Sequence, residues 1–299
     1  MHTYKNPIIK HSDAYNTADP YVLRHDGYYY HCYGNETGVY ITKAKELWDI
    51  GDGETIQVYD CSQEGALPSW FAPELHRLDG KWYIYAAPNY DRWLHVMTVL
   101  ECDGESPCGR YENRGMMRGL ENKWSIDGTI LTYGGERYFV WTSCAELYIA
   151  KMADPYSITG KVTVLTKPEY AFETRVGLVN EGPAVLYKND KIHIAYSAND
   201  SRDDAYCLGL LTFCGGDILE ASNWTKSEHA VFEQTAEIFG PGHCSFTTVT
   251  KGGEEIDYIV YHANLVSGSG WNGRNVFVQP FTWDADDMPV FGKPQFEEE

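Results

Sequence analysis

The sequence predicts an all-β protein built as a five-bladed β-propeller. An apolar strand, a tight polar turn and an aromatic strand recur five times, with a period near 55 residues. Aromatic residues make up 14% of the chain, which is typical of strands. Small antiparallel sheets repeated around an axis form a propeller. A β-sandwich pair would not give a fivefold recurrence of one hairpin, and a solenoid requires a shorter period.

The five predicted hairpins follow one another along nearly the whole chain. They read DPYVLRHDGYYYHCYG from Asp19, APELHRLDGKWYIYAA from Ala72, DGTILTYGGERYFVWTS from Asp127, GPAVLYKNDKIHIAYSA from Gly182 and HCSFTTVTKGGEEIDYIVYHA from His243. Their turns, at Gly27, Gly80, Gly135, Asp190 and Gly253, are spaced 53, 55, 55 and 63 residues apart. Each hairpin is therefore expected to form the inner two strands of one blade.

Further strands are predicted between the hairpins. The stretches GVYITKA, LHVMTVLEC, LYIAKM, CLGLLTF and NVFVQPF each suit the third strand of a blade. Residues 1–299 are thus expected to form one catalytic propeller domain, with residues 295–299 frayed. The large aromatic side chains at strand spacing, which include Trp82, Tyr85 and Trp141, are expected to pack between blades.

The net charge, the cysteines and the N-terminal sequence indicate which partners are excluded and where the protein is located. The 43 acidic against 24 basic side chains give a net charge of −19, which disfavours nucleic acid and anionic membranes as partners. The eight cysteines are scattered without a CxxC pair, so most are expected to be reduced core residues. The N-terminus MHTYKNPIIK lacks the apolar region of a signal peptide, and no apolar run is as long as a membrane span. These features predict a cytoplasmic enzyme.

Acidic side chains stand where three of the predicted inner strands begin. The aligned entrance positions are Asp19, Ala72, Asp127, Gly182 with Glu181 beside it, and His243. Inner strands of a propeller line its central channel, so these acids from three blades are expected to meet in one cavity. Carboxylates resist such proximity, because burial and mutual repulsion both oppose ionisation. Glu181 is one residue out of register, and a bend at Gly182-Pro183 is expected to restore its direction.

Each acid also has a simpler interpretation. An aspartate before proline or glycine, as at Asp19 and Asp127, commonly marks a turn, and a glutamate before Gly-Pro suits an exposed turn. A histidine among small residues, as at His243, is often a hydrogen-bonded core group. The repeat alignment of all three acids favours a functional site over these interpretations.

The motifs ADPYVLRHDGYYY, WFAPELHRLDGKWYIYAAP, SIDGTIL and NEGPAVLYKNDKIHIAYSA, in this order, resemble family 43 of the glycoside hydrolases. Members of that family are five-bladed propellers that cleave arabinose- and xylose-containing glycans with inversion. The resemblance runs from about Asp19 to the segments GHCSF and GRNVFVQPF, and it implies the same fold and reaction here. The fused C-terminal β-sandwich of some xylan-active relatives is not expected to be part of this fold.

The resemblance also implies individual roles. Asp19 matches the general base, Asp127 the acid that tunes a pKa and orients its neighbour, and Glu181 the general acid. His243 matches an axial histidine that often holds water or a cation such as Ca²⁺ in the channel, and Arg274 resembles an arginine that contacts the sugar. No cofactor is expected to be required.

Two adjacent aromatic residues are expected to bind substrate. Trp70 and Phe71 precede the second inner strand, at the expected mouth of the channel, where an aromatic face suits the C–H face of a sugar ring. The loop that carries Trp271 is expected to cover the rim of the pocket.

The expected function is inverting release of terminal α-L-arabinofuranosyl residues from arabinan or arabinoxylan. One alternative is a β-D-xylosidase acting on xylo-oligosaccharides. A fructan- or sucrose-cleaving propeller fits less well, because Ala18 stands where those enzymes carry Asn before the acid. The alternative without catalysis is a lectin-like propeller, in which the acids only accept hydrogen bonds from sugar hydroxyls.

Overall fold

The computed structural model describes residues 4–11, 17–62, 66–102 and 104–297, and its strands form five consecutive antiparallel meanders. Blade I contains β1 (Tyr21–His25), β2 (Tyr28–Gly34), β3 (Gly38–Ala44) and β4 (Glu54–Asp60). Blade II contains β5 (Phe71–Leu78), β6 (Lys81–Ala87), β9 (Thr98–Cys102) and β10 (Glu112–Met116), with the small hairpin β7 (Asn89–Asp91) and β8 (Leu94–His95) inserted after β6. Blade III contains β11 (Ile126–Tyr133), β12 (Glu136–Ser143), β13 (Glu146–Asp154) and β14 (Ser157–Thr166).

The last two blades continue the pattern. Blade IV contains β15 (Asn180–Lys188), β16 (Lys191–Ala198), β17 (Cys207–Phe213) and β18 (Trp224–Lys226), and blade V contains β19 (Phe239–Lys251), β20 (Glu254–Asn264) and β21 (Arg274–Pro280). A short pair, β22 (Thr282–Trp283) and β23 (Pro289–Val290), follows blade V. Three short 3-10 helices span Leu47–Asp52, Ala221–Asn223 and Gly270–Gly273. The prediction of an all-β, five-bladed propeller is confirmed.

The hydrophobic core is divided among the junctions between blades. Over the described residues, one cluster of buried apolar side chains lies at each of the five junctions, including the one between blades V and I. Trp82 packs between blades I and II, and Tyr85 and Trp141 pack between blades II and III, as the strand pattern predicted. Because every blade buries both faces against its neighbours, the ring is closed and positions the strand entrances around one channel.

The N-terminal segment completes blade V. Ile9 pairs with Val276 on the outer edge of β21, with N···O distances of 2.9 Å for Ile8 N–H to Val276 O and for Val276 N–H to Ile9 O. The Asn6 side chain also bonds both backbone groups of Val278, at 2.7 and 2.9 Å. The N-terminal segment thereby occupies the position of a fourth strand beside the three strands of blade V.

Residues 295–297, within the segment predicted to fray, contact the N-terminal segment. The Asn6 N–H donates to Phe296 O at 2.7 Å, the Gln295 carbonyl accepts from the Asn6 amide at 2.8 Å, and Lys5 forms a β-bridge with Glu297. These bonds connect the end of the chain to the N-terminal segment, and the fraying stays a prediction. Residues 298–299 lie outside the described residues.

The eight cysteines are free thiols, and half of them are buried in the core. Four of the cysteines, Cys32, Cys102, Cys207 and Cys244, are buried, whereas Cys144 and Cys214 are exposed. Among the described residues, no helix is long and apolar enough to cross a membrane.

Candidate active site

The five entrance positions share one unusual backbone conformation. Asp19, Ala72, Asp127, Gly182 and His243 all have positive φ, between +39° and +57°. Residues other than glycine seldom adopt this left-handed region. In blades II to V the ladder between the two inner strands also shifts register at this point. Each blade therefore turns its chain at the channel mouth in the same way, which brings the entrance residues together.

Asp127 and Glu181 are linked across the junction of blades III and IV. Asp127 is 6% exposed, and its Oδ2 accepts from the Gly182 N–H at 3.0 Å and from the Thr142 hydroxyl at 3.4 Å. Gly182 follows Glu181 in the chain, so this bond fixes the backbone of one acid to the carboxylate of the other. The bend predicted at Gly182 is present as a left-handed residue within the bulge between Glu181 and Ala184.

Gly182 is required for a second reason. A Cβ at this position would lie 3.0 Å from Nδ1 of His243. The absence of a side chain lets the imidazole pack directly against the backbone beside Glu181. The backbone N–H of His243 donates to the Ser197 hydroxyl at 2.7 Å, which fixes the position of the residue.

The electrostatics of the site raise the pKa of Glu181 and so favour its protonated form. Burial, and then the charge of Asp127, raise the pKa of Glu181 to about 7, against a lowering by the hydrogen bond from the Tyr206 hydroxyl. Burial also raises the pKa of Asp127, although nearby His243 opposes this rise. The pair therefore holds a proton in the range where an ordinary glutamate is ionised.

Asp19 has a different environment. Its Oδ1 lies 3.2 Å from Nη1 of Arg274, 3.3 Å from Nδ1 of His243 and 3.5 Å from Nδ1 of His262, and its side chain is 22% exposed. Burial opposes the charging of His243, but Asp19, Asp127 and Glu181 outweigh it and raise the pKa of the imidazole. The Asp19 carboxylate thus lies beside the Arg274 guanidinium and the His243 imidazole and meets solvent.

Among the described residues, side chains alone do not form a calcium cage at His243, so an ion held there through water stays a prediction. Calcium takes six to eight oxygen ligands, whereas Nδ1 of His243 is directed at Asp19. Over the described ranges, no group of three or more His, Cys, Asp or Glu side chains is arranged to hold a metal ion.

The structure separates the two aromatic residues predicted to bind substrate. Trp70 is 1% exposed, packs edge-on against Tyr59 and donates its indole N–H to Leu67 O at 2.7 Å. Its predicted sugar contact is therefore wrong, because the ring is buried between blades I and II. Phe71 is 47% exposed and stacks on His95, with ring centroids 4.0 Å apart. The alternation of side chains along the chain turns one ring inward and its neighbour outward.

The rim loop of blade V is tied to the site. Trp271 is 57% exposed, and its indole N–H donates to the Ser201 hydroxyl at 3.0 Å. The Ser201 carbonyl in turn accepts from Nη2 of Arg274 at 3.3 Å. The loops of blades IV and V thus meet above the arginine that contacts Asp19.

Two side chains at the site were missed by the sequence reasoning. The Tyr206 hydroxyl donates to Oε1 of Glu181 at 2.8 Å, and Nδ1 of His262 accepts from the Asp19 N–H at 3.2 Å. Tyr206 lies in a loop before β17, and His262 lies on β20, so neither occupies a strand entrance. The register supplies a signal for His262, because it stands opposite Gly242, which is adjacent to His243.

Relatives of known activity resemble the chain over most of its length. An extracellular exo-α-(1→5)-L-arabinofuranosidase from Streptomyces avermitilis is 34% identical over 98% of this chain and 64% of its own length. The enzyme of the same name from Streptomyces chartreusis is also 34% identical, over 87% of this chain and 82% of its own. This chain therefore spans about two thirds of the length of the first of these relatives.

A solved structure of an arabinofuranosidase also resembles the chain over nearly its whole length. The α-L-arabinofuranosidase from Lactobacillus brevis superimposes with a TM-score of 0.88, at 34% identity, over 98% of this chain and 97% of that one.

The location predicted from the sequence is corrected by these relatives. Both Streptomyces enzymes are named as extracellular, which points to secretion. The prediction of a cytoplasmic enzyme is wrong, since it depended only on the lack of an apolar leader.

The family model for glycosyl hydrolases family 43 matches residues 4–289. Its match covers all five blades together with the entrance acids. The chain belongs to family 43 of the glycosyl hydrolases.

Proposed function

We propose that this propeller is the catalytic unit of an inverting α-L-arabinofuranosidase that removes terminal arabinofuranosyl residues from arabinose-containing oligosaccharides and polysaccharides. Glu181 is the general acid, Asp19 is the general base, and Asp127 tunes the acid. The observation that carries the proposal is the contrast between the acids: Glu181 has a raised pKa beside Asp127, whereas Asp19 faces Arg274. An inverting glycosidase needs one protonated and one ionised carboxyl group.

The proposed reaction uses both states in one step. Glu181 donates its proton to the departing glycosidic oxygen, while Asp19 takes a proton from a water that attacks the anomeric carbon from the opposite face. The C–O bond to the leaving group breaks as the bond to water forms. Glu181 ends ionised and Asp19 protonated, so proton exchange with solvent restores the starting state.

The names of the relatives support arabinose as the sugar. The two Streptomyces enzymes and the Lactobacillus brevis enzyme are all arabinofuranosidases by name. Phe71 offers an exposed aromatic face at the entrance of blade II, which suits the C–H face of a sugar. We propose that Arg274 orients the Asp19 carboxylate through their 3.2 Å contact and contacts the bound sugar from blade V.

Hydrolysis of p-nitrophenyl α-L-arabinofuranoside and p-nitrophenyl β-D-xylopyranoside by the wild-type protein tests the proposal. We expect release of p-nitrophenol from the arabinofuranoside at a kcat/KM at least tenfold above that for the xyloside. A reversed preference would make the protein a xylosidase. Binding of arabino-oligosaccharides without turnover would support the lectin-like alternative.

Replacing Asp127 by Asn is expected to move the alkaline limb of the pH–activity profile to lower pH. The negative charge of Asp127 raises the pKa of Glu181, so its removal lets Glu181 lose its proton at a lower pH. The limb of kcat/KM is measured against pH, with Asp190→Asn, in the exposed turn of blade IV, as the control. An unmoved or upward-shifted limb would contradict the role assigned to Asp127.

Removal of divalent metals is expected to leave the activity unchanged. The proposed reaction uses only carboxylates and water, and the described side chains do not form a cage for a metal ion. The protein is treated with EDTA, dialysed and assayed on the arabinofuranoside. A loss of kcat that added Ca²⁺ restores would show that the reaction depends on a metal ion.

A further inference from the structure

The Tyr206 side chain joins the general acid to blade V. Its hydroxyl donates to Oε1 of Glu181 at 2.8 Å, and the residue is 1% exposed. The ring fills the space above Gly242, where a Cβ would lie only 2.3 Å from the tyrosine ring. The backbone N–H of Tyr206 is fixed by Asp203 O at 3.1 Å. Tyr206 therefore has little freedom to move away from Glu181.

The His262 side chain holds the backbone of the general base. Its Nδ1 accepts from the Asp19 N–H at 3.2 Å, so the proton of the neutral ring resides on Nε2. Burial, with the charges of Arg274 and His243, lowers the pKa of His262 far below the usual value, which keeps the ring neutral. Asp19 has a φ of +49°, a conformation that persists only when its surroundings fix it.

These two rings are stacked on each other. The Tyr206 and His262 planes are inclined by 9°, with centroids 5.7 Å apart, which is an offset parallel stack. Gly242, beneath the tyrosine, is also the cross-strand partner of His262. One continuous set of contacts thus runs from the carboxyl group of Glu181 to the backbone of Asp19.

We propose that Tyr206 and His262 act as one positioning pair that sets the separation and relative orientation of the acid and the base. This inference rests on the proposed hydrolase function. In an inverting enzyme the two carboxyl groups are about 6.5–9.5 Å apart, which leaves room for the attacking water between them. Their spacing therefore decides whether the reaction occurs. The stack sets this spacing because both rings are rigid. Neither residue needs to contact the sugar for this role.

The positioning pair also affects protonation of the acid. The groups that face Glu181 are Asp127 on β11, Asp19 before β1, His243 on β19 and Tyr206 before β17. Asp127 and Asp19 raise the pKa of Glu181, whereas His243 and the Tyr206 hydroxyl lower it. Loss of that hydroxyl therefore raises the pKa of Glu181.

Replacing Tyr206 by Phe tests the pair. The ring and its stack remain, but the carboxyl group of Glu181 loses its donor. We expect kcat on an arabino-oligosaccharide to fall at least tenfold, and the alkaline limb of kcat/KM to move upward by about one pH unit. Tyr133→Phe, an exposed tyrosine at the far end of blade III, serves as the matched control. A fall in kcat with an unmoved limb would overturn the role of Tyr206.

Two substitutions of His262 test the other half of the pair. His262→Asn places Oδ1 where Nδ1 lies, so it keeps an atom that accepts from the Asp19 N–H, whereas His262→Leu does not. We expect kcat to fall at least tenfold in the leucine variant, with partial recovery in the asparagine variant and little change in KM. Equal activity of the two variants, at equal melting temperature, would overturn the role of His262.

The outcomes distinguish this inference from the proposed function. If the wild-type protein has no hydrolase activity, the proposed function itself is contradicted. If the wild-type protein is active and Tyr206→Phe keeps the wild-type pH profile, only the positioning pair is contradicted.

Discussion

The Glu181→Gln variant is expected to lose about 10²- to 10⁴-fold in kcat/KM on arabino-oligosaccharides, and much less on p-nitrophenyl α-L-arabinofuranoside. Glutamine has nearly the same shape and can still accept the hydrogen bond from Tyr206, but it has no proton to donate. A sugar hydroxyl leaves poorly without protonation, whereas p-nitrophenolate is a stable anion. The effect of the substitution therefore depends on the leaving group.

Steady-state kinetics on both substrates measure this dependence. Glu136→Gln, which removes an exposed carboxylate from the far end of blade III, provides the control for loss of a charge. An equal loss on both substrates would contradict the assignment of Glu181 as the acid, because the defect would then lie in another step.

The Asp19→Asn variant is expected to lose about 10²- to 10⁴-fold in kcat on both substrates alike. Attack by water requires the base whatever group leaves, so the quality of the leaving group cannot compensate. Asparagine tolerates the left-handed backbone at this position, which keeps the local structure. The same two substrates are assayed at the pH optimum.

Asp26→Asn is a matched control for this variant. Asp26 has a φ of +47°, lies in the exposed turn of blade I and is close to Asp19 in the sequence. A loss on the oligosaccharide alone in Asp19→Asn would instead assign Asp19 to leaving-group protonation and reverse the two roles.

The fold and the three acids could be predicted from the repeat pattern of the sequence. A propeller repeats one hairpin, so alignment on the turns locates the start of every inner strand. The structure gives all five of those positions the same left-handed backbone. Asp19 and Asp127 are themselves left-handed, whereas Glu181 precedes the left-handed Gly182. The offset of Glu181 therefore reflects a different position at the equivalent strand entrance.

The rest of the site depends on information that an alignment of inner strands lacks. Tyr206 comes from a loop and His262 from a second strand, and only the three-dimensional stack relates them to the acids. Trp70 and Phe71 differ by one position, and this step decides which ring is buried. Aromatic composition alone cannot distinguish the two.

The configuration of the first sugar product shows whether Asp19 acts as a general base in an inverting reaction. ¹H NMR spectra are recorded during rapid hydrolysis of p-nitrophenyl α-L-arabinofuranoside, before the released sugar mutarotates. We expect β-L-arabinofuranose to appear first, because water assisted by Asp19 attacks the face opposite the leaving group protonated by Glu181. Initial appearance of the α-anomer would indicate a covalent intermediate and would contradict the assignment of Asp19 as a general base.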